Sequence, residues 1–94
     1  MDKGRLMMAE RLYVELITKE DCPLCESGAK TLQRAASKLG IAVREIDIFD
    51  DDDIYDEYST RVPVVRAPNG SVIDEGKLSQ AKLTPALLRL KVSG

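Results

Sequence analysis

The chain has 94 residues with 14 basic and 16 acidic side chains, which gives a formal net charge of −2. This charge argues against the basic surface that is typical of proteins binding nucleic acid or anionic membranes. No apolar run approaches the roughly 18 residues that a membrane-spanning helix needs. The length predicts a single domain over residues 1–94, in which the polar residues 1–10 are a lead-in.

The chain contains no histidine, which excludes Ser–His–Asp triads, Cys–His nucleophile pairs and Cys2His2 zinc sites. Residues 1–11 lack the apolar segment of a secretory signal, so we expect a cytoplasmic protein. In that compartment a close cysteine pair is more often catalytic or metal-binding than structural.

The first predicted elements are a strand over Leu12–Thr18 and a helix over Pro23–Leu39. The strand carries apolar residues on both faces, which indicates a central strand covered on both sides. Proline suits the first position of a helix because an N–H at that position would have no partner within the helix, and proline lacks that N–H. At the other end, Gly40 is a typical residue to end the helix.

Further periodic segments predict a second strand, an acidic helix, two more strands and a last helix. Their ranges are Ile41–Ile48, Asp50–Ser59, Val62–Ala67, Ser71–Glu75 and Ser79–Val92. Pro85 favours the first turn of a helix, so the last helix could instead begin at Thr84.

The order β-α-β-α-β-β-α predicts an α/β fold with a mixed four-stranded sheet. The first two strands join through a helix and should be parallel, with a right-handed crossover. The last two strands flank Pro68-Asn69-Gly70-Ser71, a turn sequence typical of an antiparallel hairpin.

Both cysteines of the chain lie in one C-x-x-C motif, Cys22-Pro23-Leu24-Cys25, between the first strand and the first helix. Cys22 should lie at the helix cap, where unpaired N–H groups and the helix dipole favour a thiolate. We therefore expect Cys22 to attack a disulfide and Cys25, one turn later, to resolve the mixed disulfide.

Two other interpretations of the motif stay open at this point. It could be half of a zinc site completed by a second chain, or a plain pair of buried cysteines. The strand–turn–helix context favours redox chemistry over both.

The segment from Thr18 to Cys25, followed by Arg61-Val62-Pro63-Val64-Val65, resembles glutaredoxin-like proteins of the thioredoxin superfamily. The resemblance extends from Leu12 to Val92 and is closer to a divergent branch of small bacterial proteins. It implies a thioredoxin-like three-layer fold and thiol–disulfide oxidoreductase activity in a monomer.

The resemblance also implies a binding site around the cysteines. The residue matching Val62 offers backbone groups to a bound peptide or to glutathione, and the proline matching Pro63 is cis and packs beside the cysteine pair. Lys19 matches a lysine that contacts a carboxylate of glutathione. The implied substrate-binding residues are Lys19, Pro23, Leu24, Val62 and Pro63.

The chain departs from the usual glutaredoxin pattern at Leu24, Arg61 and Gly76, where glutaredoxins carry an aromatic residue, a threonine and a pair of glycines. We therefore expect dithiol chemistry with no bound cofactor and no metal, and glutathione is one candidate co-substrate. The expected partners are a disulfide-containing protein or a glutathione mixed disulfide, with glutathione or thioredoxin reductase as the external reductant. Alternatives are an iron–sulfur or zinc protein that uses Cys22 at a dimer interface, and a redox-inert adaptor.

Three other features lie outside the cysteine motif. The aspartates of Asp50–Asp53 lack the spacing of a calcium loop and predict a solvated helix N-terminus. Glu15 could be a buried proton acceptor for Cys25 or lie at an exposed corner of the sheet. The basic residues near the C-terminus predict a solvated face: Lys77, Lys82, Arg89 and Lys91.

Overall fold

The computed structural model describes residues 12–93, and the predicted lead-in at residues 1–10 lies outside them. The strands are β1 (Tyr13–Thr18), β2 (Ala42–Asp47), β3 (Val64–Arg66) and β4 (Val72–Glu75). The helices are α1 (Pro23–Leu39), α2 (Asp52–Tyr58) and α3 (Gln80–Ser93), and a 3-10 turn over Ile48–Asp50 precedes α2.

The four strands form one mixed sheet in the order β2-β1-β3-β4. β1 pairs with β2 in parallel and with β3 in antiparallel orientation, and β3 pairs with β4 in antiparallel orientation. The predicted mixed sheet is therefore confirmed. Because β1 and β2 are parallel, their C-terminal ends, Thr18 and Asp47, lie side by side at the edge where the cysteine motif begins.

The side chains of β1 alternate between two cores, which gives the protein three layers. Val14 and Leu16 are fully buried against α1 and α3. Ile17 points to the opposite face and packs with Ile48, Tyr58 and Val64. Burial of each large aliphatic side chain contributes about 1.5–3 kcal/mol, so β1 anchors both layers.

The bounds of α1 agree with the sequence prediction at both ends. Cys22 is its N-cap in an extended conformation, and Pro23 occupies the first turn. Gly40 adopts the left-handed conformation at φ 69°, and its N–H bonds to the carbonyls of Ala36 and Ser37. Glycine is favoured there because it has no Cβ to clash in this region.

The acidic segment divides into two short helical elements where one helix over Asp50–Ser59 was predicted. Asp47 and Asp50 form a capping box around the 3-10 turn, and Asp51 then caps α2 through the N–H groups of Asp53 and Ile54. Asp47, Asp50 and Asp51 therefore serve as caps, and the exposed Asp52 and Asp53 lie in the first turn of α2, which agrees with the expected solvated helix N-terminus.

The third strand is shorter than the predicted Val62–Ala67. Pro63 has no N–H to give to the ladder, and its carbonyl accepts a hydrogen bond from Gly76 at 2.9 Å. At the other end, Ala67 donates to Ser71 at 2.8 Å and so closes the predicted hairpin turn.

The last helix begins near Ser79, and the alternative start at Thr84 is wrong. The hydroxyl of Ser79 accepts a hydrogen bond from the N–H of Lys82 at 3.3 Å, and Pro85 lies inside α3. Leu83 and Leu87 are fully buried, so packing of this stripe against the sheet outweighs the hydrogen bond that the proline removes.

Candidate functional site

Cys22 lies at the junction where a three-residue turn after β1 meets α1. Lys19, Glu20 and Asp21 are exposed, and Asp21 adopts φ 54°, a conformation that aspartate tolerates better than most residues. The carbonyl of Cys22 accepts the N–H of Glu26 at 3.0 Å, the first hydrogen bond of the helix. The turn therefore delivers Cys22 directly onto the helix N-terminus.

The two cysteines form a disulfide across the first turn of α1, with Cα atoms 5.1 Å apart. The backbone N–H of Cys25 donates to Cys22 Sγ at 3.1 Å. Cys22 is 8% exposed and Cys25 is 3% exposed, so the pair lies just below the surface. The arrangement holds an oxidised dithiol with one sulfur at a helix cap.

Pro63 packs against the same helix one turn further on. The Val62–Pro63 peptide bond is cis, as the resemblance implies, and the proline side chain is fully buried. An ideal Cβ built on Gly28 would lie 3.2 Å from Pro63 Cγ and 3.0 Å from Leu78 Cδ1. Gly28 therefore allows the proline loop to approach the helix that carries the cysteines.

Gly28 is a site residue that the sequence interpretation missed. The signal was available, because a glycine in the interior of a predicted helix costs stability unless close packing requires it. Its partner Leu78 comes from the segment between β4 and α3, so Gly28 joins three separate parts of the chain.

The predicted substrate-binding residues differ in how much surface they offer. Lys19, Pro23 and Leu24 are exposed, Leu24 to 42%, and Val62 is half-buried. Within residues 12–93, neither backbone group of Val62 makes a hydrogen bond. Pro63 offers no side-chain surface of its own.

A groove of about 360 Å³ runs along α1 on a different side of the helix from Pro63 and Leu78. It lies between the helix and the C-terminal ends of β1 and β2. Its lining residues are Thr18, Lys19, Cys25, Glu26, Ala29, Lys30 and Glu45.

Arg61 connects the segment before Val62 to two neighbouring elements. Its guanidinium contacts Glu75 Oε1 at 2.7 Å and Glu57 Oε2 at 2.9 Å. The hydrogen bond to Glu75 raises the pKa of Arg61, and the same bond lowers the pKa of Glu75. This residue replaces the threonine expected from the family pattern, and it ties the Val62 loop to α2 and to the end of β4.

Glu15 does not lie beneath Cys25. Its carboxylate contacts Arg66 Nε at 2.7 Å, on the sheet face shared by Ile17 and Val64. Cys25 belongs to α1, which covers the opposite face. The alternative of an exposed corner is also wrong, because the side chain of Glu15 is 17% exposed and paired.

Lys82 and Lys91, among the basic residues near the C-terminus, make specific contacts and do not simply belong to a solvated face. Lys82 Nζ contacts Asp74 Oδ1 at 3.0 Å, where the carboxylate is buried on β4. Lys91 Nζ donates to the carbonyl of Leu39 at 2.6 Å, beside the C-terminal end of α1. These contacts fix α3 to β4 and to α1.

Residues 12–93 contain neither a candidate metal cluster nor a candidate membrane-spanning helix. No group of three or more His, Cys, Asp or Glu side chains is placed there to hold a metal ion. In the same range, no helix combines the length and apolar character needed to cross a membrane.

Comparison with known proteins decides the family. Residues 13–89 match the family described as Glutaredoxin-like domain (DUF836). The chain belongs to this glutaredoxin-like family. No curated protein sequence matches the chain significantly.

Solved structures agree with the glutaredoxin-like assignment. The X-ray structure of protein XcR50 from X. campestris is 29% identical, with a TM-score of 0.66 over 81% of this chain and 96% of that one. Its solution structure gives 30% identity and a TM-score of 0.65 over 81% and 92% of the two chains. Thioredoxin 1 from Thermosipho africanus TCF52B, at 18% identity and a TM-score of 0.64 over 87% and 98%, supports the thioredoxin-like fold.

Proposed function

We propose that this glutaredoxin-like protein is a thiol–disulfide oxidoreductase in which Cys22 is the nucleophile and Cys25 the resolving thiol. The observation that carries the proposal is the hydrogen bond from the Cys25 N–H to Cys22 Sγ at the cap of α1. A hydrogen bond from an N–H group and the positive end of a helix both favour a thiolate, which is the reactive form of cysteine. The family and the disulfide support redox chemistry in general.

The catalytic cycle starts from the reduced dithiol. The Cys22 thiolate attacks one sulfur of a substrate disulfide, and the other substrate sulfur leaves as a thiolate. The Cys25 thiol then loses its proton, and the resulting thiolate attacks Cys22 Sγ. This attack releases the second substrate thiolate and forms the Cys22–Cys25 disulfide. Two electrons thus pass from the protein to the substrate, and an external reductant must return them.

We propose that the substrate binds beside Val62 as an added strand. The unpaired backbone groups of Val62 are suited to this mode of binding, in which main-chain hydrogen bonds supply affinity. Leu24 adds exposed apolar surface, with Pro23 beside it, and Lys19 adds a positive charge. Pro63 is buried and would act by holding Val62 in place.

We further propose that no cofactor stays bound and that glutathione or thioredoxin reductase supplies the electrons. The first experiment is therefore a disulfide-reduction assay run separately with each reductant. Wild type should be active with at least one of them, and Cys22→Ser should be inactive with both. Full activity of Cys22→Ser would contradict the assignment of the nucleophile.

The variant Cys25→Ser separates two mechanisms within the same assay. Loss of activity in both cysteine variants supports the dithiol route. Loss in Cys22→Ser alone would indicate a route through one thiol. The visible absorption spectrum of the purified protein is a useful companion measurement, since a brown colour would favour an iron–sulfur protein over an oxidoreductase.

A further inference from the structure

The loop that carries Val62 is fixed on both sides of that residue. Before Val62, the N–H of Arg61 donates to the carbonyl of Tyr58, the last residue of α2, at 2.8 Å. After Val62, the carbonyl of Pro63 accepts the N–H of Gly76 at 2.9 Å. Val62 itself has no backbone hydrogen bond within the described part of the chain. The loop is therefore held at its two ends, and the backbone groups between them are unpaired.

The side chain of Arg61 adds a second set of contacts to this loop. Its guanidinium donates to Glu57 Oε2 on α2 at 2.9 Å and to Glu75 Oε1 on β4 at 2.7 Å. Arg61 Nε also donates to Glu75 Oε2 at 3.4 Å, so Glu75 is contacted by two nitrogens. The guanidinium carbon lies 5.0 Å from the ring centre of the buried Tyr58, close enough for a cation–π contact. One side chain thus joins the loop to two separate elements.

The position of Glu75 in the sheet shows what this bridge restrains. Glu75 is the register partner of Val64, the second residue after Val62. Arg61 therefore connects the residue before Val62 to the strand that flanks the residues after it. A segment held in its bound conformation loses less conformational freedom when a ligand arrives, and this raises affinity.

We propose that Arg61 is a positioning residue that makes the protein selective for disulfides carried on an extended peptide. The inference rests on the proposed oxidoreductase function and on strand addition at Val62. A peptide gains affinity from the main chain of Val62 only when those backbone groups are held in place. A small disulfide without a peptide backbone gains nothing from them. Arg61 thus acts through Val62 and not on the reacting sulfurs.

Two disulfides that contain the same small thiol test the inference. One is a short linear peptide whose central cysteine is joined to 2-mercaptoethanol, and the other is bis(2-hydroxyethyl) disulfide. Reduced protein is mixed with each, and the half-saturating concentration and the limiting rate are measured. Arg61→Gln should raise the half-saturating concentration of the peptide about two- to fivefold, the range expected for exposed ion pairs. The limiting rate with the peptide, and both constants for the small disulfide, should match wild type.

Arg66→Gln is the matched control for Arg61→Gln. Arg66 also forms an ion pair, through Nε to Glu15 at 2.7 Å, and its guanidinium carbon lies 5.5 Å from the ring centre of Tyr58. It is the last residue of β3, at the end of the strand away from Val62. Arg66→Gln should therefore lower stability but leave the half-saturating concentration of the peptide at the wild-type value. An equal rise in both variants would indicate a general structural effect and overturn the inference.

A peptide that is N-methylated on either side of its cysteine tests whether Arg61 acts through main-chain hydrogen bonds. N-methylation removes the N–H donors, so this peptide should bind wild type more weakly than the unmodified peptide does. In Arg61→Gln the loss should be smaller, because Val62 is no longer held to meet those groups. Equal losses in the two proteins would overturn the inference.

The same assay separates failure of this inference from failure of the proposed function. If wild type reduces both disulfides and Arg61→Gln has the same constants as wild type, only the positioning role is overturned. An equal change of Arg61→Gln toward both disulfides has the same meaning. If reduced wild-type protein reduces neither disulfide, the proposed oxidoreductase function itself is contradicted.

Discussion

The backbone N–H of Cys25 donates a hydrogen bond to Cys22 Sγ over 3.1 Å, at the cap of the first helix. The two cysteines are therefore joined by this hydrogen bond as well as by their disulfide. The hydrogen bond places an N–H donor at the sulfur of Cys22, where the reduced protein would carry negative charge. The contact therefore gives Cys22 and Cys25 different environments within a four-residue motif.

The first prediction concerns the acidity of Cys22 in the reduced protein. The pKa of its thiol should lie below about 8.5, the ordinary value of cysteine, because the N–H bond and the helix dipole stabilise the thiolate. The variant Cys25→Ser keeps the backbone N–H and leaves one thiol to titrate. Its alkylation rate as a function of pH gives the pKa, and a value at or above about 8.5 would favour a redox-inert adaptor.

The second prediction concerns the close approach of Gly28 to Pro63 and Leu78. Gly28→Ala should lower the free energy of unfolding by about 1 kcal/mol, because overpacking costs more than the helix propensity of alanine returns. Urea denaturation measures the change. The control Ser37→Ala, at an exposed position of the same helix, should be nearly neutral.

A double-mutant cycle identifies the cause of the Gly28 effect. If the added methyl group clashes with Leu78, Gly28→Ala should destabilise a Leu78→Ala background less than it destabilises wild type. Additive effects of the two substitutions would show that the two side chains do not compete for the same space.

The third prediction separates structural from catalytic roles of Glu15. Glu15→Gln weakens the half-buried pair with Arg66 and should lower the free energy of unfolding by about 1 kcal/mol. The pH profile of thiol reactivity should stay unchanged, since Glu15 lies on the sheet face opposite α1. A shifted profile would mean that the carboxylate influences the cysteines after all.

How much the sequence could predict is clearest along α1. Pro23 and Gly40 fixed its two ends correctly, because each residue has a strong local preference at a helix terminus. The close contact of Gly28 and the pairing of Glu15 with Arg66 were missed. Both involve residues distant in sequence, and their partners depend on the sheet order and register rather than on local pattern.

The later elements show that local sequence preference can also mislead a prediction. Pro85 suggested a helix start by local preference, but burial of Leu83 and Leu87 keeps it inside α3. One helix was predicted for the acidic segment, but the structure has two short helical elements, each capped by an aspartate. Of the candidate site, the cysteines, their helix and the nearby Val62–Pro63 were predictable, and the groove beside Cys25 was not.

The fourth prediction uses the pKa of Glu75, which the hydrogen bond from Arg61 holds below its ordinary value of 4.5. A carboxylate with a lowered pKa stabilises the fold above its unfolded pKa, and this contribution is lost as the pH falls through the lowered value. The melting temperature of Glu75→Gln should therefore be lower than that of wild type at pH values well above 4.5. The difference between the two melting temperatures should shrink on acidification. A difference that persists once Glu75 is protonated would contradict the ion-pair explanation.

Asp56→Asn is the matched control for Glu75→Gln. Asp56 is an exposed acid of α2, and its side chain forms no ion pair or hydrogen bond within residues 12–93. Its melting temperature should follow that of wild type at every pH.

The fifth prediction is the direct test of the central claim that Cys22 attacks the substrate. In Cys25→Ser the resolving thiol is absent, so reaction with a disulfide-containing protein should stop at a mixed disulfide on Cys22. Mass spectrometry after non-reducing digestion locates that bond, and Cys22→Ser serves as the comparison. The account predicts a stable adduct on Cys22 in the first variant and none in the second. A stable adduct on Cys25 in Cys22→Ser, with none on Cys22 in Cys25→Ser, would contradict it.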